Sequence, residues 1–327
     1  NQAITLNTLY SLPYDTPDGS SYASVGVANQ ILNSGGDFVA TVDTGARSAW
    51  QNGWTGKNVK IGIADIGIAD SFNSNSRVDT HGDWVAVVTS SVAPESSLGF
   101  QDILSNPTLV GLLGEASAAY DYFEANGYHI INNSWSIERP KRNSDGSYSG
   151  ALHSNFDALV SQIVAAFDPN APSSAQGLYI FAAGNGGQYC PTRQLQNCNL
   201  VAASTDKIRK NGYAGGTRHI FVGSLEDDSN NLASYSYYAG DLKNDFIVAH
   251  DDILASGDAA GTSFAAPRVA GAAAIVKQKF PSLTNSQIKQ VLLQTANDLG
   301  AAGVDSVYGY GKLNIANSLS PQGRVVP

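Results

Sequence analysis

Apolar positions along the chain gather into several short, nearly continuous runs, separated by stretches of helical composition. The first run, NVKIGIAD at 58–65, is almost unbroken in Val, Ile and Ala and ends in an acid, as a strand buried on both faces reads. A second apolar run, WVAVVTSSV, follows at 84–92. The segment NPTLVGLLGEASAAYDYFEANG at 106–127 has a Pro near its start, helix formers within and Gly at its end; YHIINNSWS at 128–136 then returns to strand composition. Together these form a β-α-β unit. The alternation continues with a predicted helix at 151–167 (ALHSNFDALVSQIVAAF) and predicted strands at 177–185 (GLYIFAAGN), 218–225 (RHIFVGSL) and 245–254 (DFIVAHDDIL). This pattern predicts an α/β fold, a mostly parallel central sheet flanked by helices on both faces.

Outside the alternation, residues 1–45 are rich in Ser, Gly, Asn and Thr with scattered aromatics, and read as an N-terminal extension packed on a main domain at 46–323, with 324–327 as a tail. The stretch IERPKRNSDGSYSG at 137–150 reads as a polar loop. Composition supports one large core: of 327 residues, 43% are hydrophobic and only 14% charged. The net charge of −9, with no basic block denser than RPKR at 139–142, excludes a nucleic-acid partner, which would need a phosphate-neutralising surface. No stretch has the length and apolarity of a transmembrane segment, and NQAITLNTLY at the start lacks the regions of a signal peptide. The chain contains no Met, which points to the mature part of a processed precursor or to a domain of a longer protein. Cys190 and Cys198 lie eight apart in a loop-like segment; they read as a disulfide, with two buried free thiols as the alternative, and are too few for a zinc site. A disulfide places the protein outside the cytosol.

Open α/β sheets collect their chemistry at the carboxyl ends of the strands. Three polar residues stand there: Asp65 closes the first strong strand, His81 precedes the run at 84–92, and Ser263 precedes an Ala-rich helical stretch. An aspartate, a histidine and a serine can form a nucleophilic relay, in which the imidazole takes the serine proton and the carboxylate fixes the imidazole tautomer. Each also has a plain structural reading, as a turn residue, a residue before a helix and an N-cap.

The wording around the three residues resembles the subtilisin-like serine proteases, the subtilases. AGTSFAAPRVAG is similar to the family's serine motif G-T-S-x-A-x-P-x-V-A-G at Gly261, Thr262, Ser263, Ala265, Pro267, Val269, Ala270 and Gly271. VKIGIADIGI resembles the aspartate motif, with Asp65 in the matching place. THGDWVAVV resembles the histidine motif H-G-T-H-V-A-G in part: His81, Gly82, Val85 and Ala86 fit, whereas Asp83, Trp84 and Val87 depart from it. YIFAAGNGG resembles the strand that ends in A-A-G-N, and IINNSWS the substrate-binding strand. The resemblance runs in order from about residue 48 to 323.

The resemblance implies a subtilisin-like three-layer fold and a secreted serine endopeptidase with Asp65, His81 and Ser263 as triad and Asn185 as oxyanion donor. It implies polypeptide substrates held as an added strand by main-chain groups of Asn133, Ser134, Trp135 and Ser136 and of Ala183, Gly184 and Gly186. Trp135 is expected as a wall of the groove, and side-chain-free Gly186 at a roomy pocket for an apolar or aromatic residue. Gly184 and Gly186 are expected to let the strand end turn. A pro-segment or inhibitor is expected in the cleft, on a monomer. No cofactor is implied for catalysis and no metal ligand is named; structural calcium is allowed but unassigned, with Asp70 and Asp79 the nearby acids. GTSFAAP and the C-terminal wording resemble passenger domains of Gram-negative autotransporters, implying export, with passage through an outer membrane as one route. Two departures stand out. Only fifteen residues separate Asp65 from His81, and His250 stands where the family shows a proline–glycine turn. His250, like His129, His153 and His219, reads as a loop or surface residue without a catalytic role. Asp83 reads as a first-turn helix residue, or else as a group that raises the imidazole's basicity. Two other functions share the residues: a subtilase-fold binding or adhesion module without turnover, and a peptide ligase in which an amine attacks the acyl-enzyme.

Overall fold

The structure is a computed structural model that describes residues 13–15, 21–23, 44–66, 80–103, 109–137, 177–190, 192–210, 218–226, 229–251 and 260–320. The helix expected at 151–167, most of the loop at 137–150, His153, Asp70 and Asp79 lie outside the described residues. In chain order the strands are β1 (Pro13–Asp15), β2 (Ser21–Ala23), β3 (Lys60–Asp65), β4 (Ser97–Asp102), β5 (Ile130–Asn133), β6 (Leu178–Ala182), β7 (His219–Leu225) and β8 (Phe246–His250). The helices are α1 (Ala46–Gln51), α2 (His81–Val92), α3 (Leu109–Ala125), α4 (Leu195–Cys198), α5 (Leu200–Lys210), α6 (Thr262–Lys279), α7 (Asn285–Gln294) and α8 (Ile315–Ser318).

The strands form one sheet in the order β2-β1-β4-β3-β5-β6-β7-β8. From β4 to β8 every neighbouring pair is parallel. At the far edge β1 runs parallel to β4 and pairs antiparallel with β2, so backbone from the first 45 residues extends the main sheet.

The continuous apolar runs have a direct cause in this architecture: alternate strand residues enter different cores. Ile61 and Ile63 of β3, Leu178 and Ile180 of β6, and Ile220 and Val222 of β7 join α2, α6 and α7 in one buried cluster. Tyr179, Phe181 and Phe221, from the same strands, face the other way into a cluster with α3 and α5. Both faces being covered, no polar alternation survives. The result is a three-layer α/β fold with two cores and α6 against the middle of the sheet.

The apolar run at 84–92 is helical, and β4 occupies a segment, SLGFQD, whose mixed composition carries little strand signal. His250 departs from its expected surface place: it closes β8, is 6% exposed, and accepts a 2.9 Å hydrogen bond from Lys312 Nζ at Nε2. His219, too, is a core residue rather than a surface one.

Candidate active site

β3 ends at Asp65, so its carboxylate emerges at the carboxyl edge of the sheet, yet the residue is fully buried. Asp65 Oδ1 meets His81 Nδ1 at 2.7 Å and accepts the Ile66 N–H at 2.7 Å. With a carboxylate as partner, His81 Nδ1 is the donor, which leaves Nε2 as the outward basic atom of the neutral ring. Burial pushes the Asp65 carboxyl up, while the hydrogen bond and charge of His81 pull it back. Burial lowers His81, but the hydrogen bond and charge of Asp65 together outweigh it, and the imidazole is raised above its ordinary 6.5.

His81 is the first residue of α2, and its position is fixed by the helix start. Thr80 Oγ1 accepts the Asp83 N–H at 3.2 Å and the Asp83 carboxylate accepts the Thr80 N–H at 3.0 Å, a reciprocal capping box. Asp83, 1% exposed, therefore has its structural reading: it anchors the turn that presents the imidazole.

α6 supplies the serine. Its N-cap is Gly261, at φ +150°, a conformation that side chains resist; Ser263 is the second helical residue. The Ser263 hydroxyl donates to the Ser134 carbonyl at 2.9 Å, and the Ser134 hydroxyl donates to the Ser263 carbonyl at 2.6 Å. Asn132 Nδ2 in turn donates to Ser134 Oγ at 2.9 Å. The end of β5 thus holds the start of α6 by a reciprocal pair. The ring of Phe264, the next residue, lies 5.5 Å from the His81 ring, which brings the start of α6 to the start of α2.

Asn185, exposed beyond β6, is tied to the same helix start. Its Oδ1 accepts the Thr262 N–H and the Thr262 hydroxyl, both at 3.0 Å, while Thr262 Oγ1 accepts the Gly184 N–H at 3.0 Å. Two donors on one oxygen fix the amide's orientation, so Oδ1 points into α6 and Nδ2 is the remaining polar end. The N–H of Ser263, in the first helical turn, has no intrahelical acceptor.

The turn after β6 is made at Gly184, at φ +111°; Gly186 has no positive φ. Among the other residues expected to touch substrate, Asn133 is fully buried and accepts the Tyr120 hydroxyl at 2.7 Å. Ser136 is half-buried. Trp135 is 6% exposed with its ring edge-on to Phe181 in the second core, so only a thin margin of the indole faces outward. The N–H groups of Ala183 and Gly184 are already engaged, by Val222 O and Thr262 Oγ1, which removes them as donors to an added strand.

Cys190 and Cys198 form the disulfide, with Cα atoms 6.0 Å apart. Asn199, next to it, caps α5 by accepting the Val201 N–H at 2.9 Å and donates to the Ala183 carbonyl at 3.0 Å, tying the bridged loop to the end of β6. Among the described residues no three His, Cys, Asp or Glu side chains are grouped as metal ligands would be, and no helix is long and apolar enough to cross a membrane.

The family model described as peptidase S8, subtilase family, matches residues 56–311. The chain belongs to the subtilase family. Among curated subtilase relatives it is 24% identical to the extracellular serine protease of Serratia marcescens over 84% of this chain and 33% of that protein. It is 48% identical to the autotransporter lipoprotein NalP of Neisseria meningitidis over 19% of this chain and 6% of that one. The chain therefore spans a third or less of the length of these two relatives. A solved lanthipeptide protease shares the subtilase fold at a TM-score of 0.59, with 20% identity over 86% of this chain and 92% of that one.

Of the residues that the motifs single out, Asp65 meets His81, and Asn185 and Ser263 meet at the start of α6, Asn185 through its bonds to Thr262. The motifs leave out the Thr262 side chain, which links Gly184 to Asn185, and Asn132, which supports Ser134. Thr262 stood inside the quoted serine motif, but its partners lie 78 and 77 residues away and have no local signature.

Proposed function

We propose that this chain is the catalytic domain of an exported serine endopeptidase that works through a Ser263 acyl-enzyme. The observation that carries the reading is the 2.7 Å bond between a fully buried Asp65 and His81 Nδ1, whose ring lies 5.5 Å from that of Phe264, the residue after Ser263 at the start of α6. A peptide carbonyl entering above Ser263 is attacked by Oγ once the hydroxyl turns from the Ser134 carbonyl toward His81 Nε2. His81 takes the proton and returns it to the leaving amine, and Asp65 holds Nδ1–H and stabilises the imidazolium. The carbonyl oxygen becomes an anion between the Asn185 amide and the Ser263 N–H, where the α6 dipole also favours negative charge. Water then releases the acyl group.

Polypeptides are the substrate class, and a pro-segment or inhibitor would occupy the same cleft of a monomer. The disulfide and the extracellular Serratia relative support export. Calcium has no assigned ligands in this reading.

Labelling with a fluorophosphonate, followed by digestion of a peptide library, tests the proposal. Labelling mapped to Ser263 together with cleavage, both abolished in Ser263→Ala, is the expected result. No Ser263-dependent labelling or cleavage would leave a binding module. Labelling with joined rather than cleaved products would indicate a ligase.

A further inference from the structure

Asp251 follows β8 directly and is 1% exposed, so its carboxylate has left water and depends on donors from the protein. Oδ2 accepts from two: the backbone N–H of Gly261 and the Tyr235 hydroxyl. Gly261 is the N-cap of α6 and has no side chain to cap the helix. A Cβ at Gly261 would stand 3.3 Å from Asn185 Nδ2, so the place of this one residue sets both the entry of Ser263 into the helix and the space around the Asn185 amide.

Tyr235 reaches the other half of the site through its backbone. Its carbonyl accepts the Gly187 N–H at 2.7 Å, two residues beyond Asn185, where a Cβ would lie 2.6 Å from the carbonyl oxygens of Tyr235 and Ser236. The same segment is gripped from the disulfide loop. Arg193 donates Nε to Ser236 O at 2.8 Å, Nη2 to Ala233 O and Nη1 to Tyr238 Oη at 3.1 Å, with its guanidinium 4.4 Å from the Tyr238 ring centre. Tyr235 therefore sits on a braced strip, joined to the Asn185 loop by its main chain and to the serine turn by its hydroxyl.

We propose that Asp251 and Tyr235 are a positioning pair for the reaction, fixing the separation between the Ser263 nucleophile and the Asn185 amide. The inference rests on the serine-protease reading above. Neither residue touches substrate; both act through Gly261 and Gly187. Charge-assisted bonds to a backbone N–H and a phenol suit this task, because they are short and directional. A displacement of about 1 Å in such a constellation costs on the order of 10²-fold in rate.

The test uses the whole chain, a chromogenic peptide cleaved by the wild type and a fluorophosphonate. Tyr235→Phe removes only the hydroxyl, and Asp251→Asn keeps the shape but loses the charge. Each is expected to lower kcat by about 10- to 100-fold with KM changed less than about threefold. Labelling of Ser263 should slow in parallel, and the double variant should lose little more than the worse single one. A fall in thermal stability with kcat unchanged, or a rise in KM alone, would overturn the positioning role. If Asp251→Asn does not fold, Tyr235→Phe decides. A wild type that is not labelled at Ser263 sinks the protease reading and this inference with it; a labelled wild type whose variants match it in kcat sinks the inference alone.

Discussion

At the scale of single residues, the chemistry depends on which proton His81 holds. The proposed base must be neutral, and its pKa is raised above 6.5 because Asp65 outweighs burial. As pH falls through that raised value His81 becomes protonated and the relay stops. Both kcat/KM and the rate of fluorophosphonate labelling should therefore fall on the acid side with an apparent pKa above 6.5. In Asp65→Asn the anion is gone and burial remains, so the acid limb of the residual labelling should move to lower pH. A wild-type limb at or below 6.5 would contradict the part given to Asp65. The candidates Asp65, His81, Asn185 and Ser263 could be singled out in the sequence because each sits among fixed neighbours in a short motif. The Ser134 to Ser263 reciprocity, across 129 residues, and the Asp251 to Tyr235 bond were not, because they exist only once separate strands end side by side.

At the scale of elements, strands carried by a continuous apolar run announced themselves and strands of mixed composition did not. β3, β6, β7 and β8 fall inside the apolar runs that predicted them, whereas β4 and the β1–β2 hairpin lack such runs. α7 was also passed over, although Thr284 and Gln287 form its capping box and the T-x-x-Q spacing is local. The cost of a continuous apolar face shows at the start of β7. His219 lies among Tyr179, Phe181 and Phe221, with Nδ1 2.8 Å from Thr205 Oγ1. Burial, with the positive charges of Lys289 and Arg218, pushes its pKa down to about 3. Between pH 6.5 and about 3 the unfolded chain binds a proton that the folded chain refuses, so stability falls as pH drops, by up to about 1.4 kcal/mol per pH unit. Urea unfolding should show this loss between pH 7 and 5 in the wild type and a shallower loss in His219→Phe. Parallel stability curves for the two would place the acid sensitivity elsewhere.

At the scale of the whole molecule, the two helices that would carry the proposed chemistry are held by one seam. α2 presents His81 and α6 presents Ser263, and the two helices meet in the first core, with Phe264 beside the His81 ring at one end and Gly271 against Val92 and Thr89 further along. Gly271 is the tightest point. A Cβ there would stand 2.7 Å from Val92 Cβ and 3.2 Å from the Thr89 carbonyl oxygen, closer than packed atoms tolerate. Gly271→Ala must therefore push α2 and α6 apart or shift α2 along its axis. Overpacking of this kind costs about 1–3 kcal/mol, and the sheet behind α6 leaves little room for that helix to retreat. The imidazole and the hydroxyl ride on different sides of the seam, whereas Asn185 and Thr262 bond Ser263's own helix start. The substitution should thus lower kcat about 10-fold or more while the binding of a peptide aldehyde, which needs the serine and the oxyanion donors more than the base, falls less. Thermal unfolding read beside kcat separates the two consequences. Lost stability with full kcat would mean that the strain relaxes away from the site, and that the Asp65 to His81 bond, rather than the helix seam, sets the geometry of the relay.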